Sequence, residues 1–152
     1  MKVKKSVWML LCLLFMGTVV FSGCGGDDNS PTSPENPLNV SGNWDIKADG
    51  YSNIRATLSH SGTTVTATDL ATYHVGQDGS PQFDNTAEKL SGSTESPVGS
   101  TGSRTITLHA KFVGTIGSIT MTGTVNKKND SMSGTYIDNL GGHGNWTATL
   151  LQ

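Results

Sequence analysis

From Val40 onward, apolar or small residues recur with period two in run after run, rather than at the 3.6-residue period of a helix. Val40, Gly42, Trp44 and Ile46 alternate with Ser41, Asn43, Asp45 and Lys47. Ile54, Ala56 and Leu58 alternate in the same way with Arg55, Thr57 and Ser59. Ser61-Gly62 then turns the chain into a run that carries Val65 and Ala67. The rhythm is plainest in Ile106, Leu108, Ala110 and Phe112, and again in Ile119, Met121, Gly123 and Val125. Met132, Gly134 and Tyr136 continue it, and Gly144, Trp146, Ala148 and Leu150 end it. Between these runs, residues 70–82 read as a strand end and a long turn, 83–93 as a short strand with Leu90 and Gly92 inward, and 95–102 as a loop.

A chain of about seven or eight such strands must hide its two sheet edges. The expectation is an all-β fold, an antiparallel up-and-down barrel of about eight strands; the alternative with the same periodicity is a seven-stranded β-sandwich. A lipid-spanning barrel is excluded by the outward rows. Thr105, Thr107, His109 and Lys111 form one, and Thr120, Thr122 and Thr124 another, and such rows face water.

Short cassettes place a glycine on the inward row: Ser41-Gly42-Asn43-Trp44, Ser91-Gly92-Ser93-Thr94, Thr122-Gly123-Thr124-Val125, Ser133-Gly134-Thr135-Tyr136 and His143-Gly144-Asn145-Trp146. Inward glycines permit tight coiling and close strand approach. The matching cassettes around Trp44 and Trp146 imply that the first and last strands pair. The set resembles avidin and lipocalin-type barrels, whose first strand carries Gly-x-Trp and whose later strands carry segments like Thr-Gly-Thr-Tyr. That resemblance implies a closed barrel. No biotin-binding array can be placed residue by residue.

The N-terminal third has a different texture. Lys2, Lys4 and Lys5 precede an apolar run from Val7 to Phe21, too short to span a bilayer and lacking the polar face of a buried helix, as in a secretory signal. Phe21-Ser22-Gly23-Cys24 resembles the lipobox of bacterial lipoproteins, which implies cleavage before Cys24 and diacylglycerol on its thiol. Residues 1–23 are then a signal peptide, 24–39 a lipidated cysteine with a flexible Gly, Ser, Asp and Pro tether, and 40–152 the barrel. Gly25 after the cysteine resembles the sorting pattern of outer-membrane lipoproteins, which implies the outer membrane where the cell has two, so the expected place is the cell envelope, facing the periplasm or the surface. Cys12 leaves with the signal, so no disulfide supports the mature fold. Cleavage also leaves seven basic residues against twelve acidic ones, a formal charge of −5, which argues against nucleic acid as a partner.

Catalytic patterns are missing from the sequence. His60, His74, His109 and His143 occur singly, without metal-ligand spacing, and there is neither a Gly-x-Ser-x-Gly elbow nor a phosphate loop. No enzyme activity, metal or cofactor is expected. Two functions lead, a tethered barrel holding a small apolar or amphiphilic ligand and a structural or protein-interacting envelope lipoprotein, including an inhibitor of a hydrolase, with an enzyme as the third class. For the first, Tyr136 with Ala110, Gly123, Gly134 and Ala148 is the expected pocket wall, because these inward positions are small between large neighbours. The anchoring expectation is tested by Cys24→Ser. The variant should lose incorporated lipid and remain uncleaved or unanchored; wild-type membrane protein without lipid on residue 24, by mass spectrometry, would contradict it.

Overall fold

The alternating rows become strands that pair in chain order. The computed structural model describes residues 35–84, 86–113 and 117–152; the signal, Cys24 and the first part of the tether lie outside them. Nine strands follow one another: β1 (Gly42–Ala48), β2 (Asn53–Ser61), β3 (Thr64–Val75), β4 (Pro81–Phe83), β5 (Ala87–Thr94), β6 (Thr105–Phe112), β7 (Ser118–Val125), β8 (Ser131–Asp138) and β9 (His143–Leu150). All pairings are antiparallel, and β9 returns to β1 with Ile46 opposite Ala148 and Trp44 opposite Leu150. Eight strands thus close a barrel, the up-and-down topology read from the sequence. β4 stays outside the ring as a flap on β3, with Phe83 opposite Tyr73.

Facing positions inside the barrel match large side chains with small ones. Trp44 lies opposite Ala56, Leu108 opposite Gly92, Ile106 opposite Gly123, Trp146 opposite Gly134 and Tyr136 opposite Gly144. Such complementarity lets side chains interdigitate across a narrow interior without overlap. Trp44, Ile106, Leu108 and Met121 have no exposed surface, and Trp146 only 1%. Both indoles keep a hydrogen bond: Trp44 Nε1 donates to the Val40 carbonyl at 2.9 Å and Trp146 Nε1 to that of Thr122 at 3.2 Å.

The middle of the chain departs from the sequence reading. β3 runs on to Val75 and leads through a tight turn into β4, where a strand end and a long turn were expected. The cause is a bulge: between the pairs Thr57–Thr68 and Arg55–Ala71, β3 spends one residue more than β2, and Asp69 takes a positive φ of 49°. The extra residue moves the inward row from Val65 and Ala67 to Leu70 and Thr72. A period-two pattern read straight through this point fails by one register.

The barrel has two ends. At the entry end lie the β2–β3, β5–β6 and β7–β8 connections, and at the distal end the β1–β2, β3–β5, β6–β7 and β8–β9 connections. The entry end is crossed by residues 35–41. Leu38, expected in the flexible tether, is fully buried, as is Val40. The Leu38 amide donates to the Ser100 carbonyl at 2.7 Å, and Gly99 donates back to that of Leu38 at 2.8 Å. Arg104 fastens the same strap, donating to the carbonyls of Val125, Asn36 and Asn126 and facing Glu35 at 3.6 Å. Leu38 thus packs with the barrel rather than lying free in the tether, because one leucine in a Pro-rich run finds a hydrophobic seat at the barrel mouth.

Truncation should expose these dependences. Trp44→Ala and Trp146→Ala should each cost about 3–5 kcal/mol, and Leu38→Ala about 2–5 kcal/mol, in denaturant titration. A loss below about 1 kcal/mol at both tryptophans would contradict their place in the core.

Candidate functional site

The five expected pocket residues all lie on inward rows of β6 to β9. Gly123 and Gly134 are brought directly opposite each other. A Cβ on Gly134 would stand 2.0 Å from the Thr122 carbonyl oxygen and 2.5 Å from the Gly123 Cα, so β7 and β8 approach as only glycine allows. A Cβ on Gly123 would stand 2.9 Å from Cζ2 of Trp146, so the indole occupies the space above it. Ala110 sits between Leu90 and Ile119, Ala148 between Ile46 and Met132, and both are 1% exposed. Tyr136 lies nearer the distal end, its ring against the glycine position of Gly144.

Aromatic rings close that end. Tyr51, from the β1–β2 loop, stacks on Phe112 with centroids 5.7 Å apart and meets Tyr136 edge-on at 5.3 Å. Its hydroxyl donates to Asp138 Oδ2 at 2.7 Å, and the Tyr136 hydroxyl donates to the Asp49 carbonyl. Burial, then the bond to Asp138, pushes the Tyr51 phenol far above its ordinary range, and that bond in turn holds the Asp138 carboxyl below its own. Both hydroxyls thus tie the β1–β2 loop to β8 over the barrel mouth.

The wall is least continuous between β3 and β5. These strands pair only from Thr64 to Thr66 and from Ser91 to Ser93. Above that the edges separate, with half-buried Ala67, Leu70 and Ala87 alongside. The gap is bridged at the distal end, where the Asp84 amide donates to the Thr72 carbonyl at 2.9 Å and the Thr86 amide to Thr72 Oγ1 at 2.5 Å. Asp84 also accepts from Ser52 and faces His74 at 3.7 Å; its carboxyl is held low by hydrogen bonds, that from Thr72 first. On the outer face of β5 to β7, an open groove of about 290 Å³ is lined by Lys89, Ser91, His109, Lys111 and Ser118.

Histidines do not converge. His74, His109 and His143 are exposed, and among the described residues no group of three or more His, Cys, Asp or Glu side chains could hold a metal. His60, which sequence reasoning passed over, is buried at the entry end. Continuing the inward row of β2 past Leu58 would have found it. Its Nδ1 accepts from the Val40 amide at 3.4 Å and its Nε2 meets Thr94 Oγ1 at 3.0 Å, so a neutral ring clamps the strap. Compared with known protein families, curated proteins and solved structures, the chain matches none.

Burial lowers the His60 pKa from its ordinary 6.5, which fixes a sign. The native state binds the proton less readily than the unfolded chain, so this stability is complete above about pH 6.5 and is lost as pH falls. Stability measured downward from pH 7 should decline until carboxylates begin to titrate, and His60→Gln should flatten that decline. An equal slope in the variant would contradict the clamp.

Proposed function

We propose that this chain is a lipid-anchored protein of the bacterial cell envelope that acts through the surface of a filled barrel on a protein partner. The observation that carries the reading is the pairing of every inward glycine position with bulk: Leu108 beside Gly92, Trp146 over Gly123 and beside Gly134, Tyr136 beside Gly144. A barrel of eight strands is just wide enough to be filled by its own side chains or to hold one small ligand, and here side chains take the room. The strap and the three distal rings close its two ends. Anchoring rests on the lipobox resemblance at Cys24.

The second reading, a barrel that binds a small apolar molecule, draws on the gap between β3 and β5, where Ala67, Leu70 and Ala87 would border a side entrance. Titration of the folded protein with an apolar fluorescent dye separates the two. The filled barrel should show no saturable binding, and Gly134→Leu should force β7 from β8 at a cost of roughly 1–3 kcal/mol or more. A saturable one-to-one dye complex of the unsubstituted protein would overturn the filled-barrel reading.

A further inference from the structure

The groove on the outer face of β5 to β7 is built from two cross-strand rows. Lys89, Lys111 and Ser118 lie opposite one another in the first, and Ser91, His109 and Thr120 in the second. Lysines placed directly opposite repel each other, with Cβ atoms only about 5 Å apart. Glu88 answers one of the two charges. Between the pairs Ala87–Phe112 and Lys89–Lys111, β5 spends one residue more than β6, a bulge that keeps Ala87 and Leu90 with the core and leaves both Glu88 and Lys89 exposed. From there the Glu88 carboxylate meets the Lys111 ammonium at 2.5 Å. Lys89 has no ion pair among the described residues.

The rest of the lining offers donors. No Asp or Glu side chain lines the groove, although the chain has twelve acidic residues against ten basic ones. The Ser91 and Ser118 hydroxyls have no partner among the described residues. His109 Nδ1 meets Thr120 Oγ1 at 3.1 Å, which steadies the ring and leaves Nε2 for another contact. An unpaired ammonium beside a second one, with hydroxyls and an imidazole and no carboxylate among them, suits an oxyanion. Adjacent strands stand about 4.8 Å apart, and successive outward residues of one strand about 7 Å. The three terminal oxygens of a phosphate monoester, set tetrahedrally, can meet groups in both rows; the two of a carboxylate lie in one plane and serve one row. The groove, about 290 Å³ or roughly ten waters in volume, also has room for the group that bears the phosphate.

We propose that this groove binds a phosphate monoester, with Lys89 as its main charge contact, Lys111 shared between ligand and Glu88, and Ser91, His109 and Ser118 as further donors. The site lies on the outside of the wall and does not depend on whether the interior is filled. A soluble molecule and a lipid headgroup both carry such a group, and the test separates them.

Calorimetric titration of the full chain in neutral maltoside micelles takes inorganic phosphate, acetate, and phosphatidic acid dispersed in the same micelles as probes. Phosphate should bind one to one, more weakly as sodium chloride is raised, and acetate about tenfold more weakly than phosphate. Lys89→Gln should weaken phosphate binding about tenfold, the loss of one charge-assisted contact. Glu88→Gln should tighten it, because Lys111 is released to the ligand, and Lys127→Gln at the entry end should leave it unchanged. Phosphate should raise the thermal midpoint of the unsubstituted protein but not that of Lys89→Gln. Without phosphate that variant should melt no lower, since a repulsion has been removed. Phosphatidic acid bound far more tightly than inorganic phosphate, with the gain lost in Lys89→Gln, assigns the group to a headgroup; similar affinities assign it to a soluble molecule. The proposal is overturned if neither phosphate probe binds saturably, if acetate binds as tightly, if Lys127→Gln weakens binding as much as Lys89→Gln, or if Glu88→Gln fails to tighten it.

Discussion

Everything in this molecule hangs on the pairing of β9 with β1. An antiparallel meander of eight strands has two edges with unpaired backbone groups, and only closure removes both without a further element to cover them. Here the seam sets Ile46 against Ala148 and Trp44 against Leu150, joining strands nearly a hundred residues apart in the chain. Such contacts carry a high loop-closure cost and form late unless other interactions hold the strands nearby. The indoles of Trp44 and Trp146, one on each seam strand, supply buried area there. Closure therefore depends on the core, and the core has its shape only when the ring is closed.

The inward glycines show how a narrow ring accommodates that core. Taken alone, Gly92, Gly123, Gly134 and Gly144 are compatible with a void or with tight coiling, and composition does not decide between them. Register does. Leu108 faces Gly92, Trp146 faces Gly134 and Tyr136 faces Gly144, while the Gly123–Gly134 pair lies under the Trp146 ring. A one-residue slip would replace this fit by overlaps of large side chains and empty space elsewhere, so the glycines also help to fix the register.

The parts of the fold legible in the sequence were those governed by local alternation. β1, β2 and β6 to β9 were visible because each keeps one apolar row without interruption, and closure was visible in the matching cassettes at Trp44 and Trp146. What alternation cannot show was missed. The bulge at Asp69 reverses the inward row within one strand, leaving Tyr73 on the outer face. There it is nonetheless buried, with its hydroxyl 2.5 Å from Asp45 Oδ1 and the Arg55 guanidinium 4.8 Å from its ring; burial and Asp45 together push its pKa up to about 12. Leu38 lay inside a polar Pro-rich run, where composition pointed to a tether, and nothing local revealed the mouth that receives it. The expected pocket residues were correctly assigned to inward rows, but what they face depends on cross-strand register, a long-range property.

The barrel's two ends differ: residues 35–41 cross one under a strap held by Arg104 and His60, and five of the seven well-exposed large hydrophobic residues among the described ones lie at the other. That arrangement has meaning only if the barrel is a single closed unit. Native-state amide hydrogen exchange measured against denaturant tests this most directly. A closed barrel predicts that the amides of β1 and β9 paired across the seam exchange only through global unfolding, with the same free energy and denaturant dependence as those of β6 and β7. Exchange of the seam amides through a lower-energy opening, while β6 to β8 stay protected, would contradict it.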